Sequence, residues 1–210
     1  MIRGAYFQRQ KTRRVVLTGG PCAGKTACLL QLARRFPGRV AVVPEASTLL
    51  LNSGLPNPGE SPANLLPGQW RKLFQSKLVA LQHELEAQFH ELAEHSGCPL
   101  VLCDRGVLDG AAYWPDGREN YLATHNLTLE QAMGRYETVI CLESLAVGYP
   151  ELYGKHGNPS RLEGPELARQ VDALIRIAWT GHPRLVQIPS HPSFDGLLYQ
   201  VTGVVEGLLA

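Results

Sequence analysis

Gly19-Gly20-Pro21-Cys22-Ala23-Gly24-Lys25-Thr26 has the spacing G-x-x-x-x-G-K-T and follows directly on the apolar run Val15-Val16-Leu17-Thr18. A strand passing into such a loop suits the wrapping of a triphosphate in backbone N–H groups, because glycine lets the chain curl closely with no Cβ in the way. In that arrangement Lys25 supplies a mobile positive charge to the outer phosphates, and the Thr26 hydroxyl reaches a Mg²⁺ ion. Ala27, Leu29, Leu30, Leu32 and Ala33 continue as a helix whose N-terminal dipole favours the anion. The expected ligands are ATP and Mg²⁺, with Cys22 a small space-filler in the loop rather than a nucleophile.

Two other strand ends carry chemistry. Leu100-Val101-Leu102-Cys103 leads into Asp104-Arg105-Gly106, at the carboxyl edge where open α/β sheets bind ligands. Asp104 either partners the metal with Thr26 or caps a following helix. Arg105 either lies against a phosphoryl group or pairs with a nearby acid. Val42-Val43-Pro44-Glu45-Ala46 repeats the arrangement, so that Glu45 either accepts the proton of an attacking hydroxyl and holds substrate hydroxyls in line, or simply complements the dipole of a helix starting at Ala46 or Ser47. Farther on, Lys155-His156-Gly157-Asn158-Pro159-Ser160-Arg161-Leu162-Glu163 offers cations on a glycine-hinged stretch. Bringing Arg161 or Lys155 onto a transferring phosphoryl group would stabilise its spreading charge, whereas the plainer alternative is a charged surface loop. The catalytic candidates are Lys25, Glu45, Asp104, Arg105 and Arg161, and the metal candidates are Thr26 and Asp104.

These side chains need a scaffold, and the hydrophobic pattern supplies one. Val15 to Thr18, Arg39 to Pro44, Pro99 to Cys103, Thr138 to Leu142 and Arg184 to Ile188 are short, valine-rich, continuously apolar runs, as buried parallel strands tend to be. With helices between them they describe a three-layer α/β sandwich. A long helix is expected from about Gly68 to Ser96, with Trp70, Leu73, Phe74, Leu78, Leu81, Leu85, Phe89 and Leu92 as its core stripe and Gly97 and Pro99 ending it. Helices are also expected over Glu166 to Thr180 and Phe194 to Leu208. Asn52 to Pro67 and Leu145 to Pro165 hold so many prolines and glycines that both are expected to resist regular structure, and the second is a candidate lid.

The length of 210 residues, 44% hydrophobic and 19% charged, permits one domain over residues 1–210, with 1–13 as an N-terminal arm and 145–165 as the lid. A net charge of +1 provides no field for nucleic acid or anionic membranes, and Arg9, Lys11, Arg13 and Arg14 read as a solvated basic cluster ahead of the first strand. Five cysteines, without a C-x-x-C pair or histidines at finger spacing, support neither a disulfide framework nor zinc. Met1 to Gln10 lacks a signal-peptide core, and no stretch reaches the roughly eighteen apolar residues of a membrane span. A cytoplasmic protein in a reducing compartment is the expectation.

Taken together, T-G-G-P-C-A-G-K-T, V-V-P-E-A, L-C-D-R-G-V-L-D-G-A-A-Y-W, Y-E-T-V-I-C-L-E and N-P-S-R-L-E resemble the P-loop ATPase group that includes the nicotinamide-riboside kinase domain of NadR and the eukaryotic TRPL-translocation-defect protein, an AAA-type ATP-binding domain of nucleoside- or nucleotide-kinase-like character. The resemblance spans about Arg14 to Ile188, and the block from Asp104 to Trp114 is its most specific part. Kinship with nucleoside and nucleoside-monophosphate kinases implies a parallel sheet of order 2-3-1-4-5, Glu45 as base or hydroxyl holder, and Arg105 and Arg161 as phosphoryl contacts. The leading expectation is a Mg²⁺-dependent kinase moving the γ-phosphoryl of ATP to a nucleoside- or nucleotide-like small-molecule acceptor. The alternative is a nucleotide-dependent regulatory or phosphoinositide-binding switch, though the chain carries no N-K-x-D stretch and no glutamine after Asp104. No nucleic-acid partner and no membrane insertion are expected.

Overall fold

A computed structural model of the chain describes residues 11–154 and 164–210. Five strands, β1 (Arg13–Gly19), β2 (Val40–Val43), β3 (Leu100–Asp104), β4 (Thr138–Leu142) and β5 (Leu185–Ile188), form one sheet in the order β2-β3-β1-β4-β5. All four pairings are parallel, and Val16, for example, lies opposite Cys103 on one side and Val139 on the other. The order expected from the resemblance is therefore the observed one.

The inner strands bury consecutive residues because each face of the sheet is covered, whereas the edge strand β5 carries the exposed Gln187. Val15, Leu17, Leu100, Leu102, Ile140 and Leu142 point to one layer, with Leu29 and Leu32 of α1 (Lys25–Arg35) and Val201 and Val205 of α8 (Phe194–Leu209). Val16, Val101, Cys103, Val139 and Cys141 point to the other, against α3 (Pro67–Ser96), α4 (Gly117–Thr124), α5 (Leu129–Gly134) and α7 (Pro165–Trp179). Fully burying each of these aliphatic side chains contributes on the order of 1.5–3 kcal/mol. Two short helices complete the set, α2 (Ala46–Asn52) and α6 (Leu145–Gly148), with 3₁₀ turns at Val107–Tyr113 and Pro150–Leu152. The 3₁₀ turn after β3 and the helices α4 and α5 have no counterpart in the sequence expectations, and α6 and the turn at Pro150–Leu152 correct the expectation that the stretch from Leu145 resists regular structure; all are short and lack a sustained period. Among the described residues no helix is long and apolar enough to cross a membrane. No disulfide joins the five cysteines.

Two expectations are corrected. Arg13 and Arg14 belong to β1 and not to a solvated cluster. Arg13 donates to the Leu208 carbonyl, and Arg14 pairs with Glu86 at 3.7 Å. On α3 the buried positions are Trp70, Phe74, Gln75, Val79, Gln82, Glu86 and Ala93, while Leu73 and Leu92 are exposed. The helix thus turns a partly polar stripe inward.

Glu86 explains most of that stripe. It is fully buried, yet its Oε1 accepts from Gln82 Nε2 at 2.9 Å and Tyr136 Oη at 2.6 Å, and its Oε2 faces Arg135 at 2.8 Å. The same Gln82 amide donates to the Arg105 carbonyl at 3.2 Å, and the same Tyr136 oxygen accepts the Val107 N–H at 3.0 Å. One interior carboxylate therefore sets the direction of two hydrogen bonds that grip both flanks of the Arg105 turn. Removing one partner of such a cluster leaves the others buried and uncompensated. Glu86→Leu should accordingly lower stability by about 3 kcal/mol in urea unfolding, and a loss under about 1 kcal/mol would show that the cluster is dispensable.

Candidate active site

The carboxyl ends of β1, β2 and β3 converge on the loop between β1 and α1. Gly19 has φ +135°, and a Cβ there would lie 2.0 Å from the Leu142 carbonyl oxygen, so the loop leaves the sheet by a route that only glycine can take. Cys22 adopts φ +56° and Gly24 φ +82°, which turns the loop into the first turn of α1. Lys25 is 4% exposed and donates to the Gly19 and Gly20 carbonyls, both at 2.9 Å.

The loop is also held from outside. Asp172 on α7, itself buried, accepts the Gly20 N–H at 3.2 Å and the Ser144 N–H at 2.8 Å through one oxygen. Its other oxygen binds Arg176, which reaches on to Glu143 at 2.9 Å. Ser144 in turn donates to the Pro21 carbonyl. Asp172 and Ser144 escaped the sequence reading, since the only hint was an i,i+4 acid–arginine pair of the kind usually found on helix surfaces.

Asp104 ends β3 with its Oδ2 accepting the Thr26 hydroxyl at 2.6 Å. The helical turn that follows starts only after Gly106, so Asp104 does not cap it. Its Oδ1 is buried with no hydrogen-bond partner. Burial raises the Asp104 pKa, opposed by the positive charge of Lys25. A carboxylate and a hydroxyl side by side at the foot of a phosphate-type loop are hard oxygen donors that fit Mg²⁺, which takes one or two protein oxygens and completes its shell with phosphate and water. Among the described residues no cluster of three or more His, Cys, Asp or Glu side chains could hold a metal by itself.

Arg105 follows in a left-handed conformation, φ +71°, uncommon for a residue with a side chain. Its N–H reaches the Leu17 carbonyl at 3.1 Å. Gly106 must be glycine, because a Cβ would meet Trp179 at 2.7 Å and Val16 at 2.8 Å. The guanidinium passes to two acids: Nε lies 2.6 Å from Glu45 Oε1 and Nη1 lies 3.6 Å from Asp109 Oδ2. Of the two expectations for Arg105, pairing with an acid is what the structure displays. Burial works against its charge, but Tyr113, Glu45 and Asp109 together hold it firmly protonated. The Tyr113 ring centroid lies 5.9 Å from its guanidinium carbon.

Asp109 is 3% exposed and anchors the far side of this pair. It accepts from the Thr18 hydroxyl through both oxygens, at 2.8 and 2.7 Å, and from Trp179 Nε1 at 2.6 Å. Glu45 stands at the N-cap position of α2, where a carboxylate complements the helix dipole, without capping a backbone N–H, and its Oε2 accepts from Thr48 at 2.8 Å. Burial pushes the Glu45 pKa up, and Arg105, Lys25 and the Thr48 hydroxyl outweigh it to bring the carboxyl down to about 2. Lys25, Thr26, Glu45, Asp104 and Arg105 thus meet at one sheet edge, whereas Arg161 and Lys155 lie outside the described residues.

Beside this group opens a cavity of about 500 Å³. Pro21, Glu45, Arg105 and Asp109 line it together with Phe74, Leu78, Tyr113, Trp114 and Leu174. The volume and mixed lining suit a small organic molecule.

The profile of a family described as an AAA domain matches residues 14–193, so the chain belongs to that family. No curated protein sequence matches it. Among solved structures it is similar to thymidylate kinase from Candida albicans, at a TM-score of 0.62 and 15% sequence identity over 94% of this chain and 92% of that one. That likeness establishes a P-loop kinase fold.

The Glu45–Arg105 pair has a signature in acid. A carboxyl at about 2 in the folded chain against 4.5 ordinarily contributes stability that is complete above pH 4.5 and lost as pH falls towards 2. Asp104 and Asp109, whose pKa values burial raises, act in the opposite sense, so wild type must be compared with a variant. Glu45→Gln should give a shallower loss of stability between pH 4.5 and 2 in urea titrations, and parallel slopes would contradict the pairing.

Proposed function

We propose that this member of the AAA domain family is a Mg²⁺-dependent phosphotransferase that moves the γ-phosphoryl of ATP to a hydroxyl or phosphate of a nucleoside- or nucleotide-like acceptor. One observation carries the reading: Pro21 of the loop, Glu45 and Arg105 share a cavity of about 500 Å³, so the loop abuts a second compartment large enough for an acceptor. The sequence resemblance to the nicotinamide-riboside kinase domain of NadR, and the name of the C. albicans protein of like fold, support a nucleoside- or nucleotide-type acceptor.

In this reading the loop N–H groups and Lys25 bind the donor phosphates. Lys25 leaves the Gly19 and Gly20 carbonyls for the phosphate oxygens, exchanging neutral acceptors for charged ones. Thr26 and Asp104 would hold Mg²⁺, which neutralises charge on the phosphates. Glu45, with its pKa near 2, is a poor proton acceptor but a firm hydrogen-bond acceptor, so it orients an acceptor hydroxyl. A loose phosphoryl transition state needs positioning and positive charge more than a strong base. Arg105 supplies that charge and keeps Glu45 in place. Phe74, Leu78, Val171 and Leu174 line the compartment and keep water from the phosphoryl group.

The direct test is ADP release from ATP and Mg²⁺ against a panel of nucleosides, nucleotides and vitamin precursors. At least one acceptor should stimulate release, and Glu45→Gln should suppress that stimulation far more than ATP binding. If no acceptor stimulates and Glu45→Gln leaves basal hydrolysis unchanged, the chain is instead a nucleotide-dependent regulator. Lys25→Ala should lose most ATP affinity by calorimetry with the fold intact. Asp104→Asn should keep ATP affinity within a few-fold while lowering turnover by roughly 10–100-fold at limiting Mg²⁺.

A further inference from the structure

The outer face of the layer formed by α1 and α8 carries a groove of about 730 Å³ that shares no lining residue with the cavity beside the loop. Its two helices run side by side in the same direction. At their N-terminal ends a Cβ on Gly24 would meet Leu197 Cδ2 at 2.7 Å, and at their C-terminal ends Arg35 reaches Glu206 at 3.1 Å. Asp195, Tyr199 and Gly203 line the groove from α8 at steps of four residues, which sets them along one stripe of that helix.

Three features of this stripe are unusual for a surface that meets only water. Tyr199 is 82% exposed, the most of any large hydrophobic side chain among the described residues. Gly203 sits inside a helix, where glycine is a weak choice, and a Cβ there would meet nothing within 4 Å. The side chains of Asp195, at one end of the groove, and Arg34, at the other, have no ion-pair or hydrogen-bond partner among the described residues, whereas Arg35 and Glu206 hold each other. A knob, a hollow and two opposite charges on one patch are the elements of a self-complementary surface.

Turning a second copy by a half-turn about an axis through the middle of α8 sets the two α8 helices antiparallel. Asp195, about 16 Å along the helix from the level of Glu206, then faces the Arg34 end of the other copy, and the reverse pair forms by symmetry. The same rotation exchanges the levels of residues 199 and 202, so each Tyr199 ring comes to the open space over Gly203 of the second copy. Charge and shape therefore select one register independently, and antiparallel helix dipoles favour it. We infer that the face formed by α1 and α8 is the interface of a two-fold symmetric homodimer, in which Tyr199 packs over Gly203 of the second copy and Asp195 pairs with its Arg34. None of these residues lines the cavity beside the loop, so the inference stands apart from the phosphotransferase reading.

Sedimentation velocity of the full chain over a dilution series up to about 100 μM reads the association directly. Wild type should shift from monomer to dimer, and Asp195→Arg and Arg34→Asp should each weaken the dimer tenfold or more by setting like charges together. Combining Arg34→Asp with Asp195→Arg should recover most of that loss, since both pairs re-form with exchanged signs. Charge reversal at the start of α8 disturbs that helix equally in the single and the combined variant, so only the interface accounts for the recovery. Gly203→Leu fills the hollow. It should abolish the dimer, while its thermal midpoint at monomeric dilution equals or exceeds that of wild type, because a good helix former replaces a glycine that faces open space. The inference is overturned if wild type stays monomeric throughout, if the combined variant is no tighter than the single ones, or if Gly203→Leu dimerises as wild type does or has a lower midpoint.

Discussion

The buried guanidinium of Arg105 is the constraint around which the site is arranged. A charge taken out of water is tolerable only if its partners are close and themselves fixed. Glu45 comes from the β2–α2 junction, Asp109 from the turn after β3, and Asp109 is anchored in turn by Thr18 of β1 and Trp179 of α7. Four parts of the chain must therefore be in register before the ion pair forms. The left-handed backbone at Arg105 depends on the same arrangement, because Gln82 and Tyr136, both directed by Glu86, hold its two flanks. Strain of this kind persists where the surroundings over-determine it.

The phosphate-type loop follows a related logic. Its glycines permit its path, but permission is not order. Asp172 and Ser144 supply the order, the one accepting the Gly20 N–H and the other donating to the Pro21 carbonyl. Asp172 also receives Arg176, and that arginine reaches Glu143, which accepts both the N–H and the hydroxyl of Ser190. The loop is thereby tied to the segment between β5 and α8. Any ligand that draws Lys25 away from the loop carbonyls does so on a backbone already held from behind.

Helix α3 shows how one surface divides its work. Apolar positions such as Phe74 and Val79 seal the core, while Gln82 Nε2 and the Glu86 carboxylate build an internal hydrogen-bonded scaffold beneath the Arg105 turn. Gln75, on the same stripe, is equally buried, but its Oε1 has no hydrogen-bond partner.

Much of this protein is written locally and was legible in the chain. Five valine-rich runs became the five strands within a residue or two, because a sheet covered on both faces needs apolar residues at consecutive positions. Gly19 to Thr26 announced its loop by spacing, and Glu45 and Asp104 sat at strand ends by simple adjacency. Strand order came from family resemblance, since periodicity says nothing about which strand lies beside which. What only the tertiary structure decided are the partners: Thr18 with Asp109 across 91 positions, Gly20 with Asp172 across 152, and the Glu86 cluster beneath Arg105. Such polar residues look like surface in a sequence, because a buried carboxylate with all its hydrogen bonds made and a solvated one are the same letter, and folding alone distinguishes them.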